Sequence, residues 1–273
     1  MGAGRIKELL RFDNRWELVT QRLLFRGTHL QVYRIGGLEV IVDHRAADAG
    51  SIRTCIATDF YSRYLPKMKL SQRPNVLDLG ANAGGFGLML HVQGIVPGKL
   101  VCVELNPNTY ERLRFNIRSN FPQSEVINAA VVKKAREIHV KLGRGSTADS
   151  IYAGASRLSP TALDSSGRAP VRAAGEMEYA IPGRSLDEIV GAQFDGQMID
   201  LCKMDVEGAE DEIVADGESE NQALGRMKYL LVEIHNAQNY DRFVAALERF
   251  GLKKIDGDGQ QRCGVQLFEN GRL

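Results

Sequence analysis

Val76-Leu77-Asp78-Leu79-Gly80-Ala81-Asn82-Ala83-Gly84-Gly85-Phe86-Gly87, followed by Lys99-Leu100-Val101-Cys102-Val103-Glu104, decides the fold of this 273-residue chain. It reads as a strand, a tight glycine turn, a helix, and a second strand that closes on a carboxylate. Such a half-fold holds an adenosine-containing cofactor: the glycines let backbone approach the ligand, and the terminal acid accepts hydrogen bonds from ribose hydroxyls. A dinucleotide fingerprint, G-x-G-x-x-G counted from Gly80, requires glycine where this chain carries Asn82. The turn departs from the dinucleotide spelling at that position.

Outward from the turn, strands and helices alternate: strand 76–80, helix 84–93, strand 99–104, helix 107–120, strand 124–131, then strand 198–204, helix 208–216, strand 228–234 and helix 239–250. Tyr110, Leu113, Ile117 and Phe121 recur at helical spacing, and Pro107 suits a first helical turn. This alternation predicts a mostly parallel sheet with helices on both faces. Two short strands, 252–256 and 263–269, joined through Asp256-Gly257-Asp258-Gly259, read as a closing antiparallel hairpin. Residues 1–70 form a lead-in or cap: Leu30–Tyr33 and Leu38–Asp43 flank Gly36-Gly37 as a hairpin, and Asp59–Tyr64 begins a helix that Pro66 ends. Residues 71–273 are the cofactor-binding domain. An irregular, Gly/Ala/Ser/Arg-rich stretch at about 143–175 interrupts it. It is either a neutral insertion or a substrate lid, with Arg144, Ser146 and Thr147 as its first polar contacts.

With 44% apolar residues the chain can bury a sizeable core. Lys+Arg 35 against Asp+Glu 34 leaves a net charge of +1, so no global field holds a polyanion and nucleic acid is not the expected substrate. Cys55, Cys102, Cys202 and Cys263 form no C-x-x-C pair and read as reduced thiols. No apolar run approaches the roughly 18 residues that span a bilayer, and a cytoplasmic protein is expected.

In open parallel sheets ligands sit outside the carboxyl ends of the strands. Glu104 ends one such strand about 20 residues after the glycine turn, where the ribose acid belongs. Asp78 either anchors the amides of its own loop or approaches a ligand ammonium through water. Asp205 and Glu207, two apart on extended chain, point together into the cleft, unless with Glu210 they only cap the next helix. Lys203 lies inside an apolar strand and requires a carboxylate partner, for which Glu233 on the neighbouring strand is the choice. His235, with an ordinary pKa near neutrality, suits a base that removes a hydroxyl proton; His29, His44, His91 and His139 are less well placed.

The D-x-G-x-N-x-G spelling from Asp78 resembles the first motif of class I S-adenosylmethionine-dependent methyltransferases. Together with Val103-Glu104-Leu105-Asn106-Pro107, Arg184-Ser185-Leu186-Asp187-Glu188-Ile189, Leu201-Cys202-Lys203-Met204-Asp205-Val206-Glu207-Gly208-Ala209-Glu210 and Val232-Glu233-Ile234-His235, it resembles the FkbM family over about 75–269. The resemblance implies a Rossmann-like seven-stranded sheet in the order 3-2-1-4-5-7-6, with the closing hairpin. It also implies S-adenosylmethionine as cofactor, held by Asp78, Gly80, Asn82, Gly84, Glu104, Leu105, Asn106, Ala130 and Asp205. The implied activity is methyl transfer to a hydroxyl of a natural product, sugar or glycan. Asp205 then borders cofactor and acceptor, with His235 or Glu207 as base. The spacing spells no recognised metal motif and no metal is expected, although a divalent ion on Asp205, Glu207 and His235 is the competing mechanism. The rival functions are an NAD-dependent oxidoreductase and a non-catalytic binding protein that keeps the cofactor fold.

Overall fold

The structure, a computed structural model, describes residues 7–24, 29–143, 145, 151, 177–214, 222–258 and 262–273. Arg144, Ser146 and Thr147 lie outside them. The lead-in contains helix α1 (Arg15–Leu24), hairpin strands β1 (Leu30–Ile35) and β2 (Leu38–Asp43), helix α2 (Asp48–Ala57) and a 3-10 turn, Ser62–Lys67. The hairpin through Gly36 and Gly37 pairs Leu30 with Asp43 and Ile35 with Leu38. Neither α1 nor α2 is expected from the sequence reading. The helix expected from Asp59 starts instead at Ser62 as a 3-10 turn and contains Pro66 rather than ending before it. A turn this short has few repeating hydrogen bonds for a proline to remove.

The alternating half folds as read. Strands β3 (Asn75–Leu79), β4 (Lys99–Glu104) and β5 (Glu125–Asn128) follow one another in the sheet, with helix α3 (Gly85–Val92) after β3 and helix α4 (Pro107–Asn120) after β4. Pro107 starts α4, and the Asn106 side chain caps it by accepting from the Asn108 amide at 2.9 Å. The expected strand 124–131 divides: β5 stays in the main sheet, while β6 (Ala130–Val131) leaves it to pair with β8 (Met177–Arg184), which also pairs antiparallel with β7 (Arg136–Leu142). This second, three-stranded sheet carries the 143–176 insertion between β7 and β8. Helix α5 (Leu186–Phe194) then opens on a capping box, Ser185 with Glu188.

Strands β9 (Ile199–Met204) and β10 (Met227–Ile234) return to the main sheet, with helix α6 (Glu210–Val214) and a short helix α7 (Gln222–Gly225) between them. Helix α8 (Tyr240–Arg249) leads into β11 (Leu252–Gly257) and β12 (Gly264–Asn270). The spatial order is β11-β12-β10-β9-β3-β4-β5, with β12 antiparallel to both neighbours. Counting only the strands of this sheet, it is the expected 3-2-1-4-5-7-6 order read from the other edge.

Strand alternation gives the sheet two faces. Leu77, Leu79, Cys202, Met204, Leu230 and Val232 pack with α5, α6 and α8. Val76, Leu201, Tyr229 and Leu231 face the other way and join one core with Phe12, Tyr33, Ile52, Tyr61 and Tyr64 of the lead-in. Asp78, Lys203, Asp205 and Glu233 share that second parity, so the polar groups at the strand ends look towards the lead-in.

Candidate active site

The glycine turn crosses the end of the neighbouring strand at close range. Gly80 has φ +72°, and a Cβ there would lie 1.7 Å from the Asp205 carbonyl oxygen, so only glycine fits. The Asp205 amide donates to the Leu79 carbonyl at 3.0 Å, fixing the two strand ends together. Asn82 follows with φ 48°, a left-handed conformation that asparagine tolerates well, and its Oδ1 accepts from the Ala83 amide at 2.8 Å. Glu104 braces this turn from β4: one carboxylate oxygen accepts from the Asn82 amide and the other from the Asn106 amide, each at 2.8 Å. Gly84 packs under α4 against Ile117.

A pocket lies above this turn. Gly80, Asn82, Glu104, Leu105, Ala130, Asp205 and Glu207 line it among the residues singled out from the sequence. Asp78 and Asn106 are buried behind that wall, at 0% exposure, and Gly84 and His235 stand outside the lining. Ser51 and Cys55 on α2, Tyr61 just beyond it, and Ile151 in the insertion also line the pocket, and none of them is singled out as a site residue by the sequence.

Lys203 departs from expectation. Its Nζ lies 3.4 Å from Asp78 Oδ1 and 3.4 Å from Asp205 Oδ2, and it donates to the Gly80 carbonyl at 2.7 Å. Register supplies the reason: Lys203 is opposite Asp78 on β3 but opposite Leu231 on β10, which leaves Glu233 two residues further along. Asp78 therefore neither anchors loop amides nor reaches outward; it is the buried counter-ion of this lysine. Burial works against charge on Lys203, but Asp205 and Asp78 outweigh it and hold the ammonium charged. Glu233 instead accepts from the Tyr61 hydroxyl at 3.1 Å, and that hydroxyl also lies 3.3 Å from Asp205 Oδ2.

Beyond Asp205 the chain turns sharply. Glu207 has φ 52°, an uncommon conformation for a long side chain, and Gly208 follows with φ 98°. Glu210, 4% exposed, gathers this turn: its Oε1 accepts from the Val206 amide at 3.3 Å, the Gly208 amide at 3.2 Å and His235 Nδ1 at 2.9 Å. With Nδ1 so held, His235 Nε2 faces Glu207 at 3.4 Å, Asp205 Oδ1 at 3.7 Å and Glu233 at 4.0 Å. Burial disfavours charge on His235, yet the Glu210 hydrogen bond and the Glu207, Glu210 and Asp205 carboxylates prevail and push it up to about 10. Burial, with Asp205, Glu233 and Glu210, likewise pushes Glu207 up to about 8 against the pull of His235. Its surroundings thus hold His235 well above the near-neutral value that the isolated side chain has. These groups titrate as a set rather than singly. Asp205, Glu233 and His235 each offer one ligand atom, and these atoms all lie within 4.8 Å of one another.

A seven-stranded sheet of this order, with a glycine-turn pocket at its carboxyl edge, defines the Rossmann-like fold of class I methyltransferases. The pattern of the methyltransferase FkbM domain matches residues 78–255, about two thirds of the chain, and the chain belongs to that family. Among solved structures, the methyltransferase FkbM from Methylobacillus flagellatus KT is similar over 94% of this chain and 60% of its own length, at 12% identity and a TM-score of 0.51. This chain thus spans about three fifths of that protein. Aeropyrum pernix fibrillarin with natively bound S-adenosyl-L-methionine aligns over 88% of this chain and 82% of its own, at 14% identity and a TM-score of 0.43. Among curated proteins no match is found. No helix among the described residues is long and apolar enough to cross a membrane.

Proposed function

We propose that this chain is an S-adenosylmethionine-dependent O-methyltransferase that acts on a hydroxyl of a natural product, sugar or glycan. One observation carries the reading: a single pocket is lined by the glycine turn and Glu104 at one end and by Asp205 and Glu207 at the other, with Lys203 between. The first group suits an adenosine ligand and the second suits a hydroxyl that must lose a proton. Asn82, left-handed and bonded to its neighbour, disfavours the NAD-dependent rival, whose fingerprint needs glycine there.

The sulfonium of the donor is already a strong electrophile, so alignment of acceptor oxygen, methyl carbon and sulfur supplies most of the acceleration, on the order of 7–11 kcal/mol. As the carbon–oxygen bond forms, the carbon–sulfur bond breaks and its electron pair stays on sulfur. The hydroxyl proton passes to the carboxylates of this cluster, where Glu207 lies 3.4 Å and Asp205 3.7 Å from His235 Nε2. Positioned acid–base groups contribute roughly 100- to 10,000-fold. Ile151 also stands on the pocket wall.

The test is turnover on a panel of hydroxylated acceptors, read as the mass gain of one methylene. His235→Ala is expected to lower turnover at least tenfold and leave the affinity for S-adenosylhomocysteine within twofold, with both figures order-of-magnitude readings of acid–base loss. Undiminished turnover in that variant removes His235 from the mechanism. Nicotinamide-cofactor binding with no S-adenosyl binding reinstates the oxidoreductase.

A further inference from the structure

We propose that Asp205, Glu233 and His235 bind a divalent, oxygen-preferring cation at the acceptor end of the cleft. The three side chains come from the carboxyl ends of neighbouring strands β9 and β10, and their ligand atoms already lie within 4.8 Å of one another. Two carboxylates and one imidazole are a donor set that suits Mg2+ or Mn2+, and three protein ligands leave positions open for water or an acceptor oxygen.

A ligand is indicated by an atom as well as by the cluster. Asp205 Oδ1 is shut away from solvent and accepts no hydrogen bond from any described residue, although buried carboxylate oxygens are ordinarily partnered. His235 Nε2 lies 3.7 Å from it, too far for a hydrogen bond. The imidazole is also oriented as a metal ligand is. Its Nδ1 is fixed by the buried Glu210 carboxylate, and Nε2 is left to face Asp205 and Glu233, the carboxylate–histidine arrangement that aims imidazoles at metals. Tyr61, only 5% exposed, draws the other two ligands together from the lead-in, since its hydroxyl lies within hydrogen-bond reach of both Asp205 and Glu233. Asp78, Asp205, Glu207, Glu210 and Glu233 gather around one lysine and one histidine.

Glu207 lies 3.4 Å from His235 Nε2 but is outside the group whose ligand atoms lie within 4.8 Å of one another. It stays free to act on the acceptor hydroxyl. The placement of the cation beside the acceptor rests on the methyltransferase reading; the binding of the cation does not.

The experiment is titration of the whole chain with Mn2+, followed by electron paramagnetic resonance. Each protein is also tested for the rise in melting temperature produced by S-adenosylhomocysteine. One Mn2+ per chain is expected in the wild type and in the surface control Glu248→Gln, with Mg2+ competing. In Glu233→Gln the affinity is expected to fall by more than the roughly 10- to 100-fold that loss of an outer partner costs, with the S-adenosylhomocysteine shift retained. His235→Gln carries the same expectation should Glu233→Gln fail to fold. A wild type that binds S-adenosylhomocysteine but no stoichiometric Mn2+ overturns the cation site, and so does undiminished Mn2+ binding by Glu233→Gln. Stoichiometric Mn2+ with no S-adenosyl binding upholds the site and overturns the methyltransferase reading instead.

Discussion

Gly80 is where the glycine turn and the end of the Asp205 strand touch, and the contact leaves no room for a side chain. Gly80→Ala puts a methyl into the Asp205 carbonyl and demands a left-handed alanine, so it is expected to destabilise the fold by more than about 1–3 kcal/mol, measured by denaturant unfolding. Lys203 makes a comparable demand through charge. Lys203→Met leaves Asp78 buried without its counter-ion and is expected to cost about 3–5 kcal/mol in the same measurement. Glu207 is the opposite case, a residue the fold keeps at some cost to itself. Glu207→Gly relieves a left-handed backbone and removes one of several crowded carboxylates, which is expected to raise the melting temperature by about 2–4 °C, as roughly 1 kcal/mol does in a domain of this size. Turnover in that variant is expected to fall; an unchanged melting temperature contradicts the strain, and an unchanged rate contradicts the role.

At the scale of elements, the site depends on pieces of the lead-in. Asn116 on α4 is fully buried and ties one of them, β2, to the glycine turn: its side chain donates to the Ile41 carbonyl of β2 and to the Ala83 carbonyl of the turn, each at 2.9 Å, and accepts from the Ile41 amide at 2.8 Å. Asn116→Ala strands these backbone groups, and each is expected to cost about 1–3 kcal/mol where it stays dry. The βα alternation was legible because the strands there are mostly apolar and because Asn106 with Pro107, and Ser185 with Glu188, mark two of the helix starts. Helix α2 was harder to see: Ala49, Ile52 and Ile56 do recur at helical spacing, but Gly50, Ser51 and Thr54 interrupt them. Tyr61 offered no signal at all, since its partners lie 144 and 172 residues away and an aromatic before a turn reads as core. The Lys203 partner was misread for a related reason. The need for a counter-ion is visible in one strand, whereas the choice between Asp78 and Glu233 depends on register across three.

Over the whole molecule, the two faces of the sheet divide the work. One face builds a core with α5, α6 and α8; the other carries the polar strand ends and is closed by the lead-in. Phe12, Leu18, Tyr33, Val40, Ile52 and Tyr64 are each nearly or fully buried in that second core, and burial of such a side chain is worth about 1.5–3 kcal/mol. Their sum is comparable with the roughly 5–15 kcal/mol that separates a folded domain from its unfolded chain. A chain beginning at residue 71 is therefore expected to be insoluble or to lack any S-adenosylhomocysteine-induced melting shift. The measurement that tests the central claim most directly is calorimetric titration of the wild type and of Glu104→Ala with S-adenosylhomocysteine. The account predicts one site per chain in the wild type and loss of binding in the variant; a folded wild type that binds neither S-adenosylhomocysteine nor S-adenosylmethionine contradicts it.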